Sequence, residues 1–149
     1  MSTSNSDAIN QKIRTALVAD GGRQTRAKSR IVQKLTELAS RGETFTAEGL
    51  WHDLQELDPR LGRATVFRAV ETLVRMGVLN RIDFADGSHS YRACGDQHHH
   101  HLICKKCHRV VDVEVCIPER QLIEIGEEND FDIEDHSLAF FGICADCRK

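Results

Sequence analysis

The sequence predicts an α+β chain in two parts: a helical unit closed by a β-hairpin, then a smaller mixed unit rich in cysteine and histidine. Three observations predict it. Apolar residues recur at helical spacing in four successive stretches up to Gly77. The pair Asp86-Gly87 lies between two strand-like runs. Beyond those runs come two Cys-x-x-Cys pairs and four consecutive histidines.

Residues 8–19 read as a short amphipathic helix ended by Asp20-Gly21-Gly22. Thr25 caps a second helix, in which Ile31, Leu35 and Leu38 share a face until Arg41-Gly42. Thr46 caps a third that buries Leu50, Trp51 and Leu54. A fourth follows Asp58-Pro59 and Leu61-Gly62, carries Val66, Val70, Leu73 and Val74 on its apolar side, and stops at Met76-Gly77. A glycine belongs at that C-terminal position. Strands are predicted over 78–84 and 89–93, with Asp86-Gly87 as the turn. Pairing across this turn sets Asn80 opposite Ala93 and Asp83 opposite Ser90. Helices followed by a two-stranded hairpin make a winged helix-turn-helix. From Cys94 onward, short strands are expected over 101–104, 109–115 and 133–141, with one helix over about 117–129. The break between the parts falls at Gly95-Asp96-Gln97.

Composition narrows the function classes. Of the 149 residues, 40% are hydrophobic, enough for a core, and no apolar run is long enough to cross a membrane. The start, Met1 to Asp7, has no basic residue followed by an apolar stretch, so no signal peptide and a cytoplasmic location are expected. Six cysteines in such a chain are metal ligands before they are disulfides. The net charge of −3 conceals an asymmetry: residues 1–93 hold 14 Lys+Arg against 11 Asp+Glu, and residues 94–149 hold 6 against 12. A basic half joined to an acidic half suits a DNA reader attached to a cation-binding module, although ordinary solvated faces give the same split.

In helix-turn-helix proteins the second helix of the motif presents its N-terminal residues to base edges in the major groove. Here that stretch is Gly62-Arg63-Ala64-Thr65-Val66-Phe67-Arg68. Arg63 and Arg68 offer charge to phosphate or guanine, while Ala64 and Thr65 can touch thymine methyls. An amphipathic core helix with solvated arginines would look similar. The wing that follows favours the DNA reading.

Cys104-Lys-Lys-Cys107 and Cys144-Ala-Asp-Cys147 are the strongest signal. Two such knuckles close a tetrahedral sulfur cage around Zn²⁺, and a closed cage has no open position, so it holds the fold and does not sense. The 36 residues between Cys107 and Cys144 exceed the usual ribbon spacing, so a whole substructure must lie between the knuckles. A redox pair would not come twice, and iron–sulfur spacings are absent. Cys116 stands outside the pairs and reads as a small buried apolar residue. In an extended run, His98 and His100 face one way and His99 and His101 the other, so one tetrapeptide gives two imidazoles to each of two sites. Cys94 can fold back onto one pair; Glu119 and His136 could serve the other.

The segments Leu61–Arg68, His98–Cys107 and Phe140–Cys147 together resemble the ferric uptake regulator family, over about residues 10–148. The resemblance implies a homodimer binding double-stranded DNA at a palindromic operator, with metal favouring the DNA-binding form. It implies a winged-helix DNA-binding domain over 1–93, a hinge over 94–97 and a metal-binding dimerisation domain over 98–149. It also implies a structural Cys₄ zinc site of Cys104, Cys107, Cys144 and Cys147. A second regulatory metal falls to His98, His100, Glu119 and His136. The hinge sensor falls to His99 and His101 with a contribution from the wing side. DNA contacts fall to Arg63, Ala64, Thr65, Phe67 and Arg68.

The departures point to a subfamily. Iron-sensing members place a histidine where this chain has Thr44 and a glutamate where it has Arg92. The peroxide sensors' aspartate is missing too. The similarity is greatest to the zinc uptake regulators, whose cysteine ligand corresponds to Cys94. Their further ligand falls on Asn80, a poor zinc donor, so Asn80 or Asp112 is the fourth ligand expected beside Cys94, His99 and His101. A thiolate with two imidazoles suits Zn²⁺ better than Mn²⁺. The expectation is therefore a zinc-responsive repressor, not an enzyme, with Zn²⁺ in structural and regulatory sites and Fe²⁺ or Mn²⁺ as alternatives at the latter; an iron, manganese or peroxide sensor of the same family is the alternative function. A zinc-dependent hydrolase is disfavoured because no general base stands beside an open site.

Overall fold

In a computed structural model the described residues are 3–21, 23–93 and 99–149, with the side chains of 3–6 left aside. Cys94, His98 and the expected hinge over 94–97 therefore lie outside the described residues. The chain divides into two compact units, Met1–Asp96 and Gln97–Lys149.

The first unit runs α1 (Thr3–Ala19), α2 (Arg26–Ser40), α3 (Ala47–Leu57), α4 (Arg63–Arg75), β1 (Leu79–Asp83) and β2 (His89–Ala93). The Thr25 hydroxyl accepts from the Lys28 N–H at 3.2 Å, and the Thr46 hydroxyl from the Gly49 N–H at 3.0 Å. Each satisfies one of the unpaired donors of a helix start. Helix α1 begins five residues before the expected Ala8, because its first turn is polar and shows no apolar period. The core is made by one face of each helix: Ile13 of α1, Ile31 and Leu35 of α2, Leu50 and Leu54 of α3, and Val66, Val70 and Leu73 of α4 are all buried. Each such side chain contributes roughly 1.5–3 kcal/mol on burial. The Trp51 indole N–H donates to the Leu61 carbonyl at 3.2 Å and fixes the loop that launches α4.

The hairpin departs from expectation in register. Asn80 faces Arg92 and Asp83 faces His89, one residue off the pairing set by a two-residue turn. The Phe84 N–H bonds the Ser88 carbonyl (2.8 Å) and the Gly87 N–H bonds the Phe84 carbonyl (3.1 Å), so the connection is the three residues Ala85-Asp86-Gly87. Gly87 has φ +85°, the left-handed residue that a three-residue loop requires. Phe45, between α2 and α3, exchanges backbone hydrogen bonds of 2.9 and 2.7 Å with Tyr91, which ties β2 to the helical layer.

The second unit runs β3 (His100–Cys104), β4 (Val110–Val113), α5 (Glu119–Asn129), β5 (Ala139–Gly142) and a 3₁₀ turn (Ala145–Cys147). Strand β3 is central, antiparallel to β4 and parallel to β5. The strand expected over 133–141 shortens to β5, and the helix expected from about 117 starts after Pro118, its N-cap residue. Among the described residues of this unit the buried apolar side chains are Ile103 and Cys104, with His100 and His101 buried beside them. No helix among the described residues is long and apolar enough to cross a membrane.

Candidate metal centres and nucleic-acid interface

The sheet explains how the two distant Cys-x-x-Cys pairs meet. Parallel pairing sets Cys104, at the end of β3, beside Gly142, at the end of β5, so both knuckles leave the same end of the sheet. The Lys105 N–H bonds the Gly142 carbonyl at 2.9 Å and joins them. His108, with φ +60°, closes the first knuckle through its N–H to the Cys104 carbonyl (3.0 Å). The 3₁₀ turn closes the second, with the Cys147 N–H on the Cys144 carbonyl at 3.0 Å. The ligand atoms of Cys104, Cys107, Cys144 and Cys147 all lie within 4.8 Å of one another, and Cys107 Sγ is 3.7 Å from Cys144 Sγ. Zn–S bonds of about 2.3 Å in a tetrahedron put sulfurs about 3.8 Å apart, so the residues fit the ion.

The cage's electrostatics carry the same message. The backbone N–H groups of Cys107 and Cys144 point at Cys104 and bring its thiol down to about 6. The sulfurs of Cys144 and Cys107 push the Cys147 thiol up to about 12. The donors around Cys104 thus favour its thiolate, while the neighbouring sulfurs oppose charge on Cys147. A divalent ion replaces the thiol protons and removes the repulsion between the sulfurs.

Strand alternation divides the histidines. On one side, His99, just before β3, and His101 within it bring their rings 5.3 Å apart. Asp112, directly opposite His101 on β4, brings Oδ1 to 3.2 Å from His101 Nδ1 and 3.9 Å from His99 Nε2. On the other face, His100, 1% exposed, stacks its ring 5.2 Å from that of His136. The Leu138 N–H donates to His100 Nδ1 at 3.1 Å and holds the ring.

Of the expected sensor residues, the structure thus brings His99, His101 and Asp112 together. Asn80 is exposed on β1 of the first unit, paired in register with Arg92, where Ala93 was expected. Of the second set, His100 and His136 meet, but Glu119 is not in their group. As the first residue of α5 it lines a hollow with Leu122, Ile123 and Phe131. Cys116 stands in its place, with Sγ 3.1 Å from His136 Nε2. It is exposed, not buried as its apolar reading suggested. Spacing offered no signal for it, because a single cysteine in an irregular segment has no periodic partner.

At the start of α4, Arg63, Ala64 and Arg68 are exposed and Thr65 and Phe67 half-buried, while Val66, Ala69 and Val70 on the opposite side enter the core. The Arg63 guanidinium lies 4.1 Å over the Phe67 ring. It also bonds the Glu48 carboxylate of α3 at 2.8 and 2.9 Å, and this holds the Glu48 carboxyl below its usual range. Arg68 Nε donates to the Ala64 carbonyl at 3.3 Å. Glu48 is the residue that sequence reasoning missed here: an acidic first-turn residue on α3 reads only as helix electrostatics.

Comparison with known proteins agrees with this architecture. The Ferric uptake regulator family matches residues 19–141. The ferric uptake regulation protein of Bacillus subtilis (strain 168) is 36% identical over 114 residues, 74% of this chain and 76% of that one. The crystal structure of the Vibrio cholerae ferric uptake regulator superposes with a TM-score of 0.66 at 27% identity, covering 91% of this chain and 98% of that one. The Helicobacter pylori ferric uptake regulator shares the fold, with a TM-score of 0.72 at 17% identity over 97% and 95% of the two chains. The chain belongs to the ferric uptake regulator family, and is a metal-responsive transcription regulator.

Proposed function

We propose that this chain is a zinc-sensing repressor that binds palindromic operators of metal-uptake genes as a homodimer. The observation that carries the reading is the gathering of three separate donor groups, each of which includes a residue of β3. One group, all sulfur, supplies four donors and is structural; each of the other two brings three donors together among the described residues and regulates. In the sensor, His99, His101 and Asp112 act with Cys94, which precedes His99 by five residues in the chain. Asp112 is the fourth ligand in preference to Asn80, whose amide is a weak zinc donor and whose register partner is Arg92. One thiolate, two imidazoles and one carboxylate favour tetrahedral Zn²⁺. The domains follow as winged helix over 1–93, hinge over 94–97 and dimerisation domain over 98–149.

Zinc shifts the dimer toward the DNA-binding form only by binding that form more tightly. Two α4 helices related by the dimer two-fold then meet successive major grooves, with Arg68 on phosphate and Arg63, Ala64, Thr65 and Phe67 toward base edges. Association is supported by Leu102, Val111, Phe140 and Phe141, which are large, apolar and exposed on the sheet strands. A second reading, an iron or manganese sensor, is favoured by one observation: without Cys94 the described donors His99, His101 and Asp112 are nitrogen and oxygen only. Operator binding by the apo protein, titrated anaerobically with Zn²⁺, Fe²⁺ and Mn²⁺ separately, decides. Activation by Zn²⁺ at the lowest free concentration is expected; equal or better activation by Fe²⁺ or Mn²⁺ refutes zinc sensing.

A further inference from the structure

We infer that Cys116 is a thiolate ligand of a metal site with His100 and His136, taking the place that the family resemblance gives to Glu119. The inference rests on the reading of the His100–His136 pair as a metal centre. Its geometric basis is a group of three donors from three parts of the chain. His100 comes from β3, Cys116 from the segment between β4 and α5, and His136 from the segment before β5. Their ligand atoms all lie within 4.8 Å of one another, and the closest pair, Cys116 Sγ and His136 Nε2, is 3.1 Å apart. Donors about 2.0–2.3 Å from one tetrahedral ion stand about 3.3–3.8 Å from each other, so small shifts close the three around a cation.

Glu119, the first residue of α5, is not in this group. Pro118 is the N-cap residue, and Glu119 faces the hollow that Leu122, Ile123, Asp130 and Phe131 also line. Replacing a carboxylate by a thiolate changes what the site prefers. Two imidazoles and a sulfur select Zn²⁺ and, among probe ions, Co²⁺, over the Mn²⁺ and Mg²⁺ that an oxygen-richer set accommodates. Cys116 is exposed, so an incoming ion can reach its thiol and displace the proton. A bare S–H···N contact with His136 is the competing account, and it makes a different spectroscopic prediction.

The test uses the full-length Cys94→Ser dimer with zinc retained in the four-cysteine cage, so that the His99 site has no sulfur. Co²⁺ is titrated in, and bound zinc is assayed throughout to exclude exchange into the cage. A near-ultraviolet sulfur-to-cobalt charge-transfer band is expected. Cys94→Ser/Cys116→Ser should lose the band and bind Co²⁺ at least about tenfold more weakly, since even outer-shell changes cost that much. Serine preserves a hydrogen bond to His136, so a contact without ligation would leave Co²⁺ binding unaltered and never give a band. The proposal is overturned if the band is missing from Cys94→Ser, or survives in Cys94→Ser/Cys116→Ser with the cage still holding zinc. It is overturned equally if the loss of affinity follows Glu119→Gln and not Cys116→Ser. Zinc-dependent operator binding of the wild type, measured separately, tests the underlying reading without touching this result.

Discussion

Asp112→Asn tests the carboxylate of the proposed sensor with little change of shape. In the structure Asp112 Oδ1 is 3.2 Å from His101 Nδ1 and 3.9 Å from His99 Nε2. Two imidazole nitrogens and a carboxylate oxygen, each about 2.0–2.2 Å from one tetrahedral ion, stand about 3.4 Å apart, between those two values. Coordination therefore needs only small movements. If Asp112 binds the ion, asparagine replaces an anionic donor by a neutral amide, and zinc affinity should fall by at least the 10–100-fold typical of an outer-shell change. Each factor of ten is about 1.4 kcal/mol. The zinc concentration for half-maximal operator binding should rise by one to two decades, measured with buffered free zinc and a fluorescent operator duplex. Asp112→Ala should do the same or worse, and Asn80→Ala should leave the midpoint within about twofold. An asparagine variant that activates like wild type while the alanine variant does not would show that Asp112 only accepts a hydrogen bond from His101, and the ligand assignment would fail.

Cys94→Ser should leave the dimer folded and abolish zinc-activated operator binding, because serine stays protonated near neutral pH and binds zinc weakly; coincident activation curves would remove Cys94 from the sensor. Arg68→Ala should weaken binding to all DNA sequences and reduce the slope of log affinity against log salt by about one, whereas Thr65→Ala should relax preference at one base pair. Competition binding across salt concentrations checks both, and an unaltered slope would show that α4 does not meet the backbone as described. In the first unit, the Thr72 hydroxyl (2.7 Å) and Arg75 (2.6 Å) donate to Asp20 and hold its carboxyl below the usual carboxylate range. Because the folded-state value is the lower one, the stabilisation is complete above the unfolded value and disappears as pH falls through the folded one. Asp20→Asn should therefore flatten the acid limb of thermal unfolding below about pH 4, and a limb as steep as wild type would refute the link.

What was legible in the sequence follows from how local each signal is. Caps such as Thr25 and Thr46 and the helical spacing of Ile31, Leu35 and Leu38 need only neighbours in the chain, and the helices formed where they pointed. The wing was legible as a hairpin but not in register, since Asp86-Gly87 fits both a two-residue turn and the last two positions of the observed three-residue loop. The alternation of the histidines was legible because an extended strand has a period of two. Which groups complete each set was not. Asp112 reaches His101 through β-pairing, and Cys116 reaches His136 from 20 positions away in the chain. The Glu48–Arg63 pair likewise depends on how α3 and α4 pack, which no single-helix pattern encodes.

The second unit has little interior of its own, and this ties its metal to its association. Its described buried apolar side chains are Ile103 and Cys104, while Leu102, Phe131, Phe140 and Phe141 stay exposed. A segment this small rarely holds together on apolar burial alone and depends on a metal, on association, or on both. On the proposed reading, zinc bound in the four-cysteine cage would stabilise whatever state carries the assembled knuckles, and a partner subunit would stabilise the same state. The two effects are therefore linked: a loaded cage should tighten the dimer, and the dimer should tighten the cage by the same factor. Cys104→Ser removes a ligand whose backbone donors already favour its thiolate, so binding energy that is also folding energy is forfeited. We expect this variant to lose the cage zinc, the β3–β5 pairing and the dimer together, while the first unit keeps its helical signal. Sedimentation with zinc quantification measures this. A Cys104→Ser protein that still sediments as a dimer after losing the zinc would show that association needs no cage, and the linkage would be wrong.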